Sequence, residues 1–248
     1  MNARDDSAVG APLSRSDGPL KVSGQARYAA EFPVDGVCHA VMARSTIAHG
    51  KIARIDAQAA NRMPGVILVL THQNAQKLPD KGRAAVNPPA GREMSLLQDA
   101  AIRYNGEPIA LVVAESLEQA ADAAAHIRVE YAKEPAKLDF AQAKRSPKKP
   151  KKAGNSETDK SWGDASGALP SAEVKVDQVY TTPMEHHNPM EPHGTIARWE
   201  GDKLTLWDAT QYVSGVKETV AKTMGIPADN IHVIDPYVGG GFGCKGST

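Results

Sequence analysis

The chain has 248 residues, enough for one or two domains with a substantial core, and its 41% hydrophobic and 23% charged content is that of an ordinary globular protein. Lys plus Arg (29) equals Asp plus Glu (29), which excludes a broad basic field for nucleic acid and a broad acidic field for cations. The two cysteines, Cys38 and Cys244, cannot supply the four thiolates of an iron–sulfur cluster or a closed zinc site, and their separation argues against a disulfide.

Residues 1–18 are polar and small, end at Gly18-Pro19 and carry no apolar run, so they read as disordered rather than as a signal peptide. No later stretch approaches the roughly 20 apolar residues that span a bilayer. Residues 37–43 read as a largely buried strand, with Cys38 as a small buried side chain. A helix is expected over 56–62 with Asp56 as its cap, stopped by Pro64-Gly65 before an apolar strand at 66–70. Residues 72–100 lack periodicity and hold Pro79, Pro88 and Pro89, which predicts a long surface excursion. A second unit follows: 102–104, the turn Asn105-Gly106-Glu107, a buried strand 108–114, a helix 117–126 capped by Ser116, and a strand 127–131. The alanines at 120, 121, 123, 124 and 125 suit close packing.

Residues 141–170 read as an extended, solvated linker, because six of the nine residues from 144 to 152 are basic and Pro147 and Pro150 lie among them. A nucleic-acid or nuclear-targeting tract is the alternative, and the lack of interleaved aromatics and the neutral chain favour the solvated linker over it. Val174, Val176 and Val179 mark a strand, followed by an irregular stretch to Met190. A hairpin is expected from 196–199 through Gly201-Asp202 to 204–207, then an amphipathic helix over 212–224 with Val213, Val216, Val220 and Met224 on one face. Gly225 ends it, and 231–234 feeds the segment PYVGGGFGCKGST at 236–248. Glu185, His186, His187, Glu191 and His193 crowd together, but their spacing matches no metal motif and Pro189 and Pro192 forbid a helix that would gather them, so no metal ligand is assigned.

The glycine run permits positive φ and close approach of a ligand to backbone N–H groups; a plain turn at a strand end is the alternative. Gly241, Gly243 and Gly246 satisfy G-x-G-x-x-G, the basis of a nucleotide-binding reading, yet no helix or acidic residue follows in the 248 residues. Lys245 stands between Cys244 and Gly246, where a P-loop requires Gly-Lys-Ser/Thr.

Together with Met190-Glu191-Pro192-His193, Trp207-Asp208-Ala209-Thr210-Gln211 and the Pro-Ala-Asp-Asn-Ile of 227–231, the segment Val238 to Lys245 resembles the molybdopterin-binding region of the xanthine dehydrogenase and aldehyde oxidase family, the molybdenum hydroxylases. The earlier part resembles the α/β hammerhead domain of that family through Ser45-x-x-x-His49-Gly50, Pro64-Gly65-Val66, Gly106-Glu107-Pro108 and Val129-Glu130-Tyr131. The resemblance implies an α/β plus α+β fold divided into 1–18, a hammerhead domain 19–140, the linker 141–170 and the start of a molybdopterin-binding domain at 171–248. It implies a molybdenum-molybdopterin cofactor, the cytosine dinucleotide form left open, held by Gln211, Gly241, Phe242 and Gly243, with Glu191 in a buried structural role. The implied activity is oxidation of an aldehyde or heterocycle with oxygen from water, electrons leaving through iron–sulfur and FAD subunits, in the cytoplasm or after export with a partner subunit. No nucleic-acid or membrane partner is implied. Gly246 stands where many members carry a purine-binding glutamate, which leans toward aldehydes, and the general-base glutamate of the family would lie beyond Thr248. By this reading the chain is a large-subunit fragment, inactive alone and completed by a missing C-terminal portion; a noncatalytic truncated fragment or assembly partner is the alternative.

Overall fold

The computed structural model describes residues 10–79, 95–150 and 157–246. Residues 1–9, Pro88, Pro89, Lys151, Lys152 and Thr248 lie outside the described residues. The elements in chain order are α1 (Gly18–Val22), a 3-10 turn (Ala29–Glu31), β1 (His39–Arg44), β2 (Gly50–Asp56), α2 (Gln58–Asn61), β3 (Val66–Thr71), β4 (Ala101–Ile102), β5 (Pro108–Ala114), α3 (Leu117–Ala125) and β6 (Arg128–Lys133). There follow α4 (Phe140–Ala143), α5 (Ala165–Ser171), β7 (Thr195–Glu200), β8 (Lys203–Asp208), α6 (Val213–Met224), a 3-10 turn (Ala228–Asn230) and β9 (Ile231–Ile234).

In the N-terminal half, β5 lies antiparallel between β1 and β3, and β2 lies antiparallel between β4 and β6. The apolar run of β5 explains its central place. Ile109 joins Ile47, Ile52, Ile55 and Ile102 in one core, while Val112, pointing the other way, joins Ala60, Val69 and Ala123 in a second. Helix α3 starts where Ser116 Oγ accepts the Gln119 N–H, and buries Ala120 and Ala123, whose small side chains let it sit close to β1 and β5. Ala121 and Ala125 are exposed.

Several local expectations need correction. β1 is not largely buried: its side chains alternate between half-buried and exposed, as befits a strand with neighbours on one face, and Cys38 lies outside it and is exposed. Asp56 closes β2 instead of opening a long helix; its Oδ1 does accept the Gln58 N–H, but α2 is a single turn. Gly18-Pro19 begins a helix, consistent with the tolerance of a first turn for proline. The described linker residues apart from half-buried Thr158 are exposed, yet α4 and α5 interrupt them, each started by an aspartate, Asp139 or Asp164, accepting an N–H three residues on. The strand expected at Val174–Val179 is absent: these valines are 79%, 73% and 86% exposed, and their alternation finds no neighbouring strand among the described residues.

The C-terminal half is a sheet in the order β7-β8-β9, antiparallel then parallel, covered by α6. The hairpin turns at Gly201-Asp202 as expected, and α6 stops at Gly225, whose φ of 68° is the left-handed cap that glycine adopts without penalty. Leu204, Leu206, Val216, Ala221 and Ile231 form its core. Val216 alone of the four residues expected on the apolar face of α6 is fully buried; Val220 is partly so, and Val213 and Met224 are exposed. Among the described residues no helix is long and apolar enough to cross a membrane.

Ile102, 1% exposed, sits on a two-residue strand paired with Gly50 and Lys51 of β2, and its side chain packs into the first core. Ile102→Ala is expected to lower unfolding free energy by about 2–5 kcal/mol, read from the urea midpoint; a loss below about 1 kcal/mol would show that this core collapses around the gap.

Candidate functional site

Gln211 lies in the four-residue connection between β8 and α6, at the C-terminal end of a strand. The preceding Thr210 is buried and fully engaged: its N–H donates to Asp235 Oδ2 at 3.0 Å, its hydroxyl donates to the Lys245 carbonyl at 3.3 Å, and the same oxygen accepts the Tyr212 N–H at 3.0 Å. The Gln211 N–H donates to the Lys245 carbonyl at 2.8 Å. The backbone of Gln211 is therefore fixed to the glycine segment, while the residue itself stays exposed.

The segment after β9 folds back over this junction. A Cβ on Gly241 would lie 2.2 Å from Gln211 Oε1, so the carboxamide rests in space that only glycine leaves open. Phe242 is 72% exposed and has a φ of 53°, an uncommon conformation for an aromatic residue, and its ring folds back beside Gly240. His187 reaches the outer side of Gly243. The structure thus brings together Gln211, Gly241, Phe242 and Gly243.

Beneath them, Lys245 is buried with its side chain 0% exposed, and its ammonium donates to Glu191 Oε2 at 2.8 Å and to the Glu191 carbonyl at 2.9 Å. Glu191, 9% exposed, also accepts the Gly239 N–H at 2.7 Å, and its own N–H donates to the Gly239 carbonyl at 3.1 Å. A buried hydrogen-bonded glutamate agrees with the expectation for this position. Around the pair, Tyr237 packs edge-on against Tyr28 and under the Lys21 ammonium, so residues of the N-terminal segment brace the loop.

No sequence pattern marks Asp235 or the burial of Lys245, which is a tertiary fact about a lysine at the end of the glycine segment. Of the acidic and histidine cluster at 185–193, only Glu191 is drawn inside, and among the described residues no three His, Cys, Asp or Glu side chains gather as a metal site. A largely apolar cleft of about 780 Å³ lies between the two halves, walled by Leu111, Leu206, Val216, Glu107 and the inner side of Lys245. Gln211, Phe242 and Gly243 do not line it, so the cleft and the glycine-loop surface are separate features.

The two carboxylates beside Lys245 are pushed in opposite directions. Burial alone would raise Glu191, but the Lys245 ammonium and the Gly239 N–H outweigh it and hold the carboxyl below its ordinary value. Burial raises Asp235, the Thr210 N–H only partly offsets this, and Glu191 and Asp208 add repulsion; its Oδ1 is buried without a partner. A depressed carboxyl contributes stability above its unfolded value of about 4.3, lost as pH falls through the folded value; a raised one contributes stability below about 3.9, lost as pH rises through the folded value. Asp235→Asn, which keeps an acceptor for Thr210, should therefore stabilise the chain at pH 7 relative to wild type, with the advantage shrinking toward pH 3. Urea titrations from pH 3 to 8 test this, and a destabilisation by Asp235→Asn that is the same at every pH would contradict it.

Two family models match the chain: the a/b hammerhead domain of aldehyde oxidase and xanthine dehydrogenase over residues 23–135, and the molybdopterin cofactor-binding domain over residues 147–248. The aldehyde oxidoreductase molybdenum-binding subunit PaoC of Escherichia coli K12 is 39% identical over 239 residues, covering 96% of this chain and 31% of the relative. The nicotine 6-hydroxylase large subunit of Paenarthrobacter nicotinovorans is 34% identical, covering 96% of this chain and 30% of the relative. Among solved structures, quinoline 2-oxidoreductase from Pseudomonas putida 86 superposes with a TM-score of 0.76 at 31% identity, covering 94% of this chain and 31% of that one. The chain spans about a third of the length of these curated relatives. With hammerhead and cofactor-binding models matching successive parts, and a glycine loop folded over a strand-to-helix junction, the chain belongs to the aldehyde oxidase and xanthine dehydrogenase family of molybdopterin-binding oxidoreductases.

Proposed function

We propose that this chain forms one wall of the molybdopterin site of a molybdenum hydroxylase large subunit, with 19–140 as the hammerhead unit, 141–170 as linker and 171–248 as the opening of the cofactor-binding domain. The observation that carries this reading is the Gln211 carboxamide seated on Gly241 beside the exposed Phe242 ring. The donor set fits the group: an amide N–H₂ on an anchored backbone, glycines that admit close approach, and an aromatic face. Gln211 would donate to an oxygen of the cofactor, Gly241 and Gly243 would let it approach the backbone, and Phe242 would cover it from water.

The bound cofactor supplies the two-electron acceptor for hydroxylation with oxygen taken from water. This chain's part is to hold and orient it; the remaining wall and the general base would come from polypeptide beyond these 248 residues, and the electrons would pass to iron–sulfur and FAD subunits. Two relatives are named for an aldehyde and for nicotine. Gly246 offers no carboxylate to a purine, which favours an aldehyde as substrate, with a heterocycle second. The cytosine dinucleotide form of the pterin fits this reading but is not required by it.

In an assembly completed by the remaining large-subunit polypeptide and its partners, Gln211→Ala is expected to lower kcat on the order of 10²-fold, the range for removing one oriented donor. Phe242→Ala should also lower it, whereas His126→Ala, on the far helix, should not. The comparison is made at equal molybdenum loading, and equal specific activity in all three variants would remove the site assignment.

This chain by itself is expected neither to retain molybdenum nor to oxidise aldehydes, because one wall leaves most of a charged pterin in water and effective sites enclose most of their ligand. Elemental analysis with an aldehyde-dependent dye-reduction assay tests it; stoichiometric metal with turnover would show that 248 residues suffice.

A further inference from the structure

We infer that Lys245 and Glu191 are the positioning pair of the glycine-loop site, setting where the Gln211 carboxamide and the Gly241 backbone stand relative to each other. This rests on the reading of Gln211 as a cofactor contact but concerns only residues of this chain.

The argument begins with the two ends of Lys245. At one end, the ammonium is buried and held twice by Glu191, once through the carboxylate and once through the main-chain carbonyl. At the other, the Lys245 carbonyl accepts both the Gln211 N–H and the Thr210 hydroxyl. A single residue therefore ties the segment before β7 to the segment after β8. Glu191 closes the circuit through its two backbone-linked contacts with Gly239, at the start of the loop whose far end is Lys245. Three stretches distant in sequence, around 191, 210 and 239–245, are fixed to one another by these bonds.

The pair does this with charge, where an apolar pair would only fill space. A buried ammonium must be hydrogen-bonded, and the geometry that satisfies it here includes a specific backbone carbonyl, so the direction of the chain at Glu191 and Lys245 is set along with the contact. Gln211 is tied to the far side of the same lysine, its backbone N–H donating to the Lys245 carbonyl. Its side chain rests over the bare Cα of Gly241. Neither Lys245 nor Glu191 reaches the exposed surface formed by Phe242 and Gly243, so their effect on any ligand there must pass through Gln211 and the loop.

The test is nuclear magnetic resonance and amide exchange on the 248-residue chain. In Lys245→Met, the Gln211 side-chain amide signals should move toward solvent-exposed values, and exchange at the Gln211 backbone N–H should accelerate at least tenfold. Amides of the β5 core, such as Val112, should be unchanged. Glu191→Gln keeps an oxygen for the ammonium and for Gly239, and should retain more of the wild-type Gln211 signal than Lys245→Met does. Gly241→Ala should displace the Gln211 carboxamide while leaving exchange at the Gln211 backbone N–H within about twofold of wild type. A folded Lys245→Met with wild-type Gln211 signals and exchange would overturn the inference.

Should Lys245→Met not fold, Glu191→Gln/Lys245→Met, which leaves no charge at either position of the pair, is read by the same criteria. Wild-type Gln211 behaviour in that variant would equally overturn it. If the Gln211 signals respond as expected while Gln211→Ala leaves turnover unchanged in the completed assembly, the positioning pair stands and the cofactor role of Gln211 falls.

Discussion

The buried contact between the Lys245 ammonium and Glu191 is the constraint on which the C-terminal half depends. Removing one partner of such a pair typically costs about 3–5 kcal/mol, because the other charge is left in a medium that solvates it poorly. The nearby Asp235 makes the balance asymmetric: two carboxylates face one ammonium, and the one bonded to it takes the depressed titration while the other is pushed up. The Thr210 N–H on Asp235 and the Thr210 hydroxyl on Lys245 then join both carboxylates to the connection that carries Gln211.

The N-terminal half solves a different problem with few polar groups. β5 is buried on both faces and so serves two cores at once, which ties β1, β3 and α3 to the β2 sheet. Its entry is fixed by a compact polar knot: Ser45 Oγ donates to the Tyr104 carbonyl at 3.0 Å and accepts the Glu107 N–H at 3.2 Å, while buried Glu107 accepts from the Arg103 guanidinium at 2.8 Å. The Gly106-Glu107-Pro108 stretch that carries the hammerhead resemblance is therefore the place where a tight turn hands the chain to its most buried strand.

What could be read from the sequence was what short-range chemistry decides. The cap at Ser116, the turn at Gly201-Asp202, the stop at Gly225 and the run of 108–114 each specify their element locally, and each appears in place. Val174, Val176 and Val179 show the opposite: alternation is a statement about a surface able to join a sheet, and no described strand lies beside it. The weak helices α1, α4 and α5 were hidden because their only signals are a proline in a first turn or a capping aspartate in otherwise polar sequence. At the site, Gln211, Gly241, Phe242 and Gly243 came from family resemblance; on local chemistry alone Gln211 is one glutamine at a helix start. Lys245 was invisible for a physical reason, since burial of a charge depends on a partner 54 positions away.

The glycine segment is uneven, and the unevenness follows its bonding. Gly241 and Lys245 are buried and tied to the Thr210-Gln211 connection, whereas Phe242 and Gly243 between them are exposed. Phe242 holds a left-handed backbone that a residue with a Cβ adopts at a cost of about 1–3 kcal/mol, and such a cost persists only where neighbours over-determine the conformation. The neighbours that do so here are the anchored residues on either side: Gly239 on Glu191, and Cys244, whose N–H and Sγ both close onto the Gly241 carbonyl at 2.9 Å. The strained backbone that raises the exposed Phe242 ring is thus held between fixed points on either side. A ligand meeting this surface need not supply the ordering entropy of the backbone between those fixed points.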